Sequence, residues 1–411
     1  MLDSHTLFYI IITILLVQYL IEVVLEYVNA KRYDDPLPKE LDDLFSAEEY
    51  KKSRTYKKTR YVFGMVSNTF SVLLTLGFLI FGGFQMIDVL VRSMTDDAIP
   101  MALLFFGVIM IGTDIISTPL SYYSTFVIEQ KFGFNKTTPR LFFIDKLKGW
   151  IMSAILGGGM LAAIMWFYEW AGPQFWLYAW GIIVLFTVFM NLFYSKLIVP
   201  LFNKQTPLET GSLKSKIEGY AQKVGFELQN IFVLDGSKRS TKANAYFSGF
   251  GKQKRVTLYD TLLHDLEEDE IVAVLAHEVG HYKRKHIIFN LMATILMTGF
   301  TLYILSLFIN NPEVSLAIGV STPSFHAALV GFGILYSPIS EITGLVMNYL
   351  SRKFEYEADD YAKNTFAAQP LITSLKKLSK NSLSNLTPHP AYVFVHYSHP
   401  PLIARIRNLR A

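Results

Sequence analysis

His277 and His281 stand four residues apart with Glu278 between them. On a helix this spacing puts both imidazoles on one face, within reach of a single metal ion. Glu278 points about 100° round the same helix, since a turn takes 3.6 residues. It is badly placed to join the ligands and well placed to take a proton from an attacking water. His-Glu-x-x-His is the arrangement in which two histidines hold zinc and the glutamate acts as general base for peptide-bond hydrolysis.

A catalytic zinc takes three protein ligands and leaves one position open, so a third ligand must come from elsewhere. Downstream, Glu355 and Asp359 are again four residues apart, on one helical face. One of them can bind the metal while the other accepts a hydrogen bond from a ligating histidine and fixes its tautomer. The expectation is Glu355 as ligand and Asp359 behind it, with Glu357, on another face, as second choice. His286 falls off the ligand face beside Lys283, Arg284 and Lys285, and reads as an interfacial residue next to a membrane-surface anchor. His5, His264 and His326 read as structural or exposed.

The elements that must carry these residues are mostly apolar. Hydrophobic residues make up 51% of the 411 and charged residues 18%, a balance that points to a mainly α-helical, multi-pass membrane protein. With no cysteine, a disulfide framework and a thiolate zinc site are excluded. A net charge of +4 without an aromatic-interleaved basic patch gives no reason to expect nucleic acid as a partner. No small-residue cleavage site follows the first apolar stretch, so it reads as a retained span.

Seven segments reach the roughly 20 mostly apolar residues that a crossing requires. They lie near Leu7–Val28, Val62–Ile87, Met101–Tyr123, Trp150–Ala171, Phe175–Val199, Ile287–Ile309 and Phe325–Tyr349. Gly157, Gly158 and Gly159 suit close helix packing in lipid. Lys31–Arg60 holds nine Lys/Arg and Ser124–Lys148 five, while the alternate loops hold almost none. The positive-inside rule then places the amino terminus outside and the carboxyl terminus inside. The division expected is spans one to five over 1–200, with inner-side loops 31–60 and 124–148. A first polar part, 201–286, spans six and seven, 287–349, and a second polar part, 350–411, follow. The first polar part reads as a helix (Gly211–Val224), a strand (Ile231–Leu234) and a hairpin (Ala243–Phe250 with Arg255–Tyr259) turned at Gly251-Lys252-Gln253. A helix from Glu267 through His281 then runs into the sixth span. The second polar part reads as mostly helical, and both parts meet on the inner side as one small α+β zinc-binding domain.

Several strings make the chain resemble the integral-membrane zinc CAAX prenyl proteases, the type I CAAX endopeptidases. They are Ser240–Phe247 with Gly249-Phe250, Val256–Leu263, Ala276–His281, Ser351–Asp359, and His396-Tyr397-Ser398-His399-Pro400-Pro401 followed by Arg405. The resemblance runs nearly end to end. It implies seven spans enclosing a chamber that the zinc domain closes at one end. It implies one zinc ion held by His277, His281 and Glu355, Glu278 as general base, and Asp359 as a supporting carboxylate that is sometimes assigned proton donation. An ionised aspartate paired with a histidine is a poor acid at neutral pH, which favours the supporting role. Asn244 and His399 match positions facing the substrate peptide and the developing oxyanion, where a histidine can donate. Arg405 braces that corner, pairs with a carboxylate or meets substrate. The hairpin near Asn244 and Ala245 could take the peptide as an added strand.

The implied substrate is a peptide or membrane-associated protein that loses a C-terminal tripeptide beyond a prenylated cysteine. The chain is somewhat shorter than eukaryotic members and has no cysteine, which fits a bacterial inner-membrane protein with its site facing the cytoplasm. In a eukaryote the membrane would be the endoplasmic reticulum or inner nuclear envelope. In a bacterium prenylated substrates are generally absent, so a broader quality-control or translocon-clearance protease stays open. So does a scaffold with a structural zinc, although no fourth ligand is evident. An intramembrane zinc protease would carry the motif inside an apolar span, whereas Glu267, Glu268, Asp269 and Glu270 precede it here.

Overall fold

In the computed structural model, which describes residues 2–42, 44–228, 230–248 and 255–411, the chain is mainly helical with one small mixed sheet. Six stretches of helix are long and apolar enough to cross a bilayer: Ser4–Asp34, Ala47–Ile80, Ala98–Phe132, Pro139–Phe202, His286–Phe308 and Phe325–Thr365. The fourth runs for 64 residues. A tight turn at Gly172–Gln174 breaks it, ending one helix at Ala171 and starting the next at Phe175.

The helices extend further to the polar side than composition implied. The second begins at Ala47, where the Ser46 hydroxyl accepts from the Glu49 amide and the Glu49 carboxylate accepts from the Ser46 amide. This reciprocal cap satisfies two amides that helix geometry leaves unpaired. Much of 31–60 and 124–148 is therefore helix rather than loop. The second helix ends at Ile80, not Ile87. Gly82, at φ 71°, turns the chain into a separate helix, Gly83–Arg92. The expected packing role of three glycines is corrected too. A Cβ at Gly157 or Gly159 would meet nothing within 4 Å, and at Gly158 only Leu103 Cδ2 at 3.8 Å. They sit at or beside a π-helical turn, Ser153–Gly158.

Apolar packing concentrates at two ends. One core joins Leu7 and Ile11 of the first helix to Leu79, Phe105, Met165, Phe175, Leu302 and Phe325. The other lies in the polar domain, with Leu41, Ile217, Leu258, Ile271, Leu371 and Ile406.

The polar domain holds strands β1 (Gln205–Pro207), β2 (Asn230–Leu234), β3 (Ala245–Ser248) and β4 (Arg255–Tyr259), in the order β1-β2-β4-β3. β2 and β4 are parallel and the outer pairs antiparallel, with Ala245 opposite Leu258. β3 is therefore an edge strand. The turn expected at Gly251-Lys252-Gln253 lies outside the described residues. The motif helix, Glu268–Lys283, starts at a cap in which the Glu267 amide donates to Glu270 Oε2 at 2.8 Å. Three acids in its first turn and His281 and Lys283 in its last suit the helix dipole.

This helix does not run on into the next span. Lys285 adopts a left-handed φ of 62°, and a new helix begins at His286. By contrast, Phe325–Thr365 is one 41-residue helix that carries both the last apolar stretch and Glu355. Buried or half-buried polar contacts fasten the domain to the bundle. Arg239 grips Asp145 at 2.8 and 2.9 Å, and Thr387 Oγ1 donates to the Arg32 carbonyl at 2.8 Å.

Candidate metal centre

The motif helix packs along the long helix at Gly280. A Cβ there would lie 3.0 Å from the Cα and carbonyl oxygen of Ala358. Ala358 sits between Glu355 and Asp359, so this contact sets His281 beside the first and His277 beside the second. His277 Nε2 and His281 Nε2 are 3.2 Å apart. Glu355 Oε1 is 3.3 Å from His281 Nε2, and its Oε2 is 3.5 Å from His277 Nε2. Donor atoms 2.0–2.1 Å from a tetrahedral zinc stand about 3.3 Å from each other. Each of these distances is close to that figure, although the two histidines meet different oxygens of the Glu355 carboxylate.

The hydrogen-bonding logic agrees. His277 Nδ1 lies 2.9 Å from Asp359 Oδ1 and donates to it, leaving the Nε2 lone pair facing inward. Glu355 Oε2 is buried and makes no hydrogen bond. Two imidazole Nε2 atoms and a carboxylate oxygen that makes no hydrogen bond form a donor set that fits a cation. Ligand atoms of His277, His281 and Glu355 all lie within 4.8 Å of one another, the one such group among the described residues.

Arg405 is buried behind the ligands. Its Nε and Nη2 donate to both Asp359 oxygens at 2.8 and 2.6 Å, and Nη1 approaches Glu355 Oε2 at 3.2 Å. Both carboxylates hold it in the geometry of a brace. Glu278 is half-buried. His399 is mostly exposed, with Nε2 at 3.2 Å from Glu355 Oε1 and Nδ1 at 2.9 Å from Ser398 Oγ. Arg352, on the long helix, holds the His399 loop through the carbonyls of Val393 and Tyr397. Asn244 is exposed just before β3. Its side chain accepts from the Ala245 amide at 2.9 Å, and no contact joins it to the ligands among the described residues.

His286 corrects the reading of an interfacial residue. It is buried, stacks on Phe354 at 4.2 Å and 12°, and sets Nδ1 3.1 Å from His281 Nδ1. Its Nε2 lies 3.1 Å from Glu357 Oε2. Glu357, the second-choice ligand, is thus a partner of His286. A continuous helix would have put His286 off the ligand face, and the break at Lys285 brings it back. The signal available in the sequence was a third histidine five residues after the second. His326, by contrast, is buried near the far core with Asp88 Oδ1 at 2.7 Å.

A zinc-type triad with a glutamate between its two histidines, built where two helices cross beside an apolar bundle, defines a membrane zinc metallopeptidase. Residues 26–204 match the family described as "CAAX prenyl protease N-terminal, five membrane helices" and residues 207–411 match Peptidase family M48. The chain is 36% identical over 408 residues to CAAX prenyl protease 1 homolog of Arabidopsis thaliana, covering 97% of this chain and 96% of that one. It is 33% identical over 414 residues to CAAX prenyl protease 1 of Saccharomyces cerevisiae, covering 93% and 91%. The crystal structure of S. mikatae Ste24p superposes with a TM-score of 0.93 at 31% identity, over 98% of this chain and 99% of that one. The chain belongs to the CAAX prenyl protease 1 family of multi-pass membrane zinc metallopeptidases, with the zinc site typical of M48 peptidases.

Proposed function

We propose that this peptidase removes the C-terminal tripeptide from prenylated proteins at the inner face of its membrane. The observation that carries the reading is the placement of Glu355 on a direct extension of the last apolar helix, which would hold the metal at the foot of the bundle. The relatives in Arabidopsis and yeast are named for CAAX processing, and the family implies prenylated substrates. Seven crossings fit this picture, with the 64-residue run crossing twice. The far core supports them, because it joins the start of the first helix to the end of the second and so on in alternation. Among the described residues the two large cores lie at the ends of the bundle, with a third, smaller one (Tyr56, Ile128, Phe132 and Leu383) where the bundle meets the polar domain, a distribution that fits a central chamber. A bacterial inner membrane, with the site facing the cytoplasm, belongs to the same proposal and rests on the charge bias and the lack of cysteine.

Bound zinc would supply a Lewis acid that polarises the scissile carbonyl and acidifies water. Glu278 takes a proton from the attacking water and returns it to the leaving amine. His277 points its Nε2 lone pair inward because its Nδ1 proton is held by Asp359. Asp359 and Arg405 hold that arrangement rigid. His399, exposed on its braced loop, donates to the developing oxyanion. Asn244 and Ala245 open an edge strand, β3, along which an extended peptide could pair.

The test is cleavage by protein reconstituted in liposomes, with a farnesylated CAAX peptide and its unmodified counterpart read by mass. Loss of three residues from the farnesylated peptide alone is the expected result. Equal cleavage of both, or cuts elsewhere, would favour the broader clearance protease.

A further inference from the structure

We infer that His286 and Glu357 form a positioning relay that fixes the tautomer of His281 and aims its Nε2 at the zinc. The inference rests on the zinc site described above. Glu357 Oε2 can only accept when ionised, so His286 Nε2, 3.1 Å away, carries the proton. A neutral imidazole with a proton on Nε2 has a bare Nδ1. That bare nitrogen lies 3.1 Å from His281 Nδ1, and two bare nitrogens would repel at this distance. His281 Nδ1 is therefore the donor, which leaves its Nε2 lone pair directed at His277 Nε2 and Glu355 Oε1.

Three further features hold the relay in place. His286 lies flat on Phe354, one residue before the ligand Glu355, with 12° between the rings. Phe289, one turn further along the same helix as His286, meets Phe354 edge-on at 5.2 Å. Lys285 keeps a left-handed backbone that only special surroundings sustain in a residue with a Cβ. The two histidine ligands thus receive different support: His277 rests on the buried Asp359–Arg405 pair, and His281 on a second imidazole whose carboxylate is partly in water. His286 touches neither substrate nor metal; it acts through His281.

The test measures zinc affinity by chelator competition, alongside the visible spectrum of the cobalt-substituted protein. His286→Phe keeps the ring stack and removes the acceptor. It is expected to weaken zinc by roughly 10- to 100-fold, the usual effect of losing a partner that orients a ligand, and to alter the cobalt bands. His286→Asn offers an amide oxygen near the place of Nδ1 and is expected to recover most of that loss. Glu357→Gln still accepts from Nε2 and should bind zinc nearly as wild type, whereas Glu357→Leu should fall between wild type and His286→Phe. Wild-type affinity in His286→Phe would overturn the inference, as would His286→Asn binding no better than His286→Phe. If His286→Phe does not fold, the Gln–Leu comparison at Glu357 decides in the same way. Failure of wild type itself to hold zinc would instead sink the metal site.

Discussion

Arg405 is a buried cation against two buried carboxylates, and its removal would leave Asp359 charged with only His277 as partner. Breaking a buried pair from one side costs about 3–5 kcal/mol. Arg405→Met should therefore lower the thermal unfolding midpoint and weaken zinc together. An unchanged midpoint would show that the pair adds nothing to the fold. His277 gives a pH prediction. In metal-free protein, burial and Arg405 oppose its charge, but Asp359 and Glu355 outweigh them and push its pKa from 6.5 up to about 9. A raised folded-state pKa means that this proton's stabilisation is full below about pH 6.5 and is lost as pH rises through about 9. Zinc has to displace the same proton. Its affinity should rise with pH by up to about tenfold per unit across that window and level off above it. A flat profile between pH 7 and 9 would contradict the assignment.

At the scale of elements, the crossing at Gly280 and the break at Lys285 set the site. Gly280→Ala would raise helix propensity by up to about 1 kcal/mol. The new Cβ, however, would meet backbone atoms of Ala358 at 3.0 Å, and overpacking of this kind costs about 1–3 kcal/mol. The clash should win, with a lower midpoint and weaker zinc as the two helices part; gain on both readouts would refute the crossing. At Lys285 the left-handed backbone costs a residue with a Cβ roughly 1–2 kcal/mol. Lys285→Gly should leave zinc affinity unchanged, while Lys285→Val, which resists positive φ, should weaken it through His286. The break at Lys285 is also the part of the site that the sequence does not reveal. His277, His281, Glu355 and Asp359 were legible because four-residue spacing reads directly as one helical face. His286 was not, because nothing in a run of three basic residues signals a left-handed turn. Strand β1, three residues long, was too short for a periodic signal. The second span was misjudged because the turn at Gly82 lies inside an unbroken apolar run.

At the scale of the whole molecule, the far core and the zinc domain stand at opposite ends of an alternating bundle, and the orientation proposed for it is open to a clean test. The chain has no cysteine, so a single introduced thiol reports its own side of the membrane. In intact cells, a membrane-impermeant maleimide should label Asp96→Cys at once and Lys39→Cys only after permeabilisation. The reverse pattern would invert the topology and put the metal centre outside.

Three side chains from two crossing helices would hold one catalytic zinc, with Glu278 proposed as the base beside it. The most direct test measures metal content and peptide cleavage on the same samples of wild type and Glu278→Gln. One zinc per chain is expected in both, with hydrolysis lost in the variant and lost in wild type on chelation. Cleavage that survives in zinc-loaded Glu278→Gln, or wild-type activity without bound metal, would contradict it.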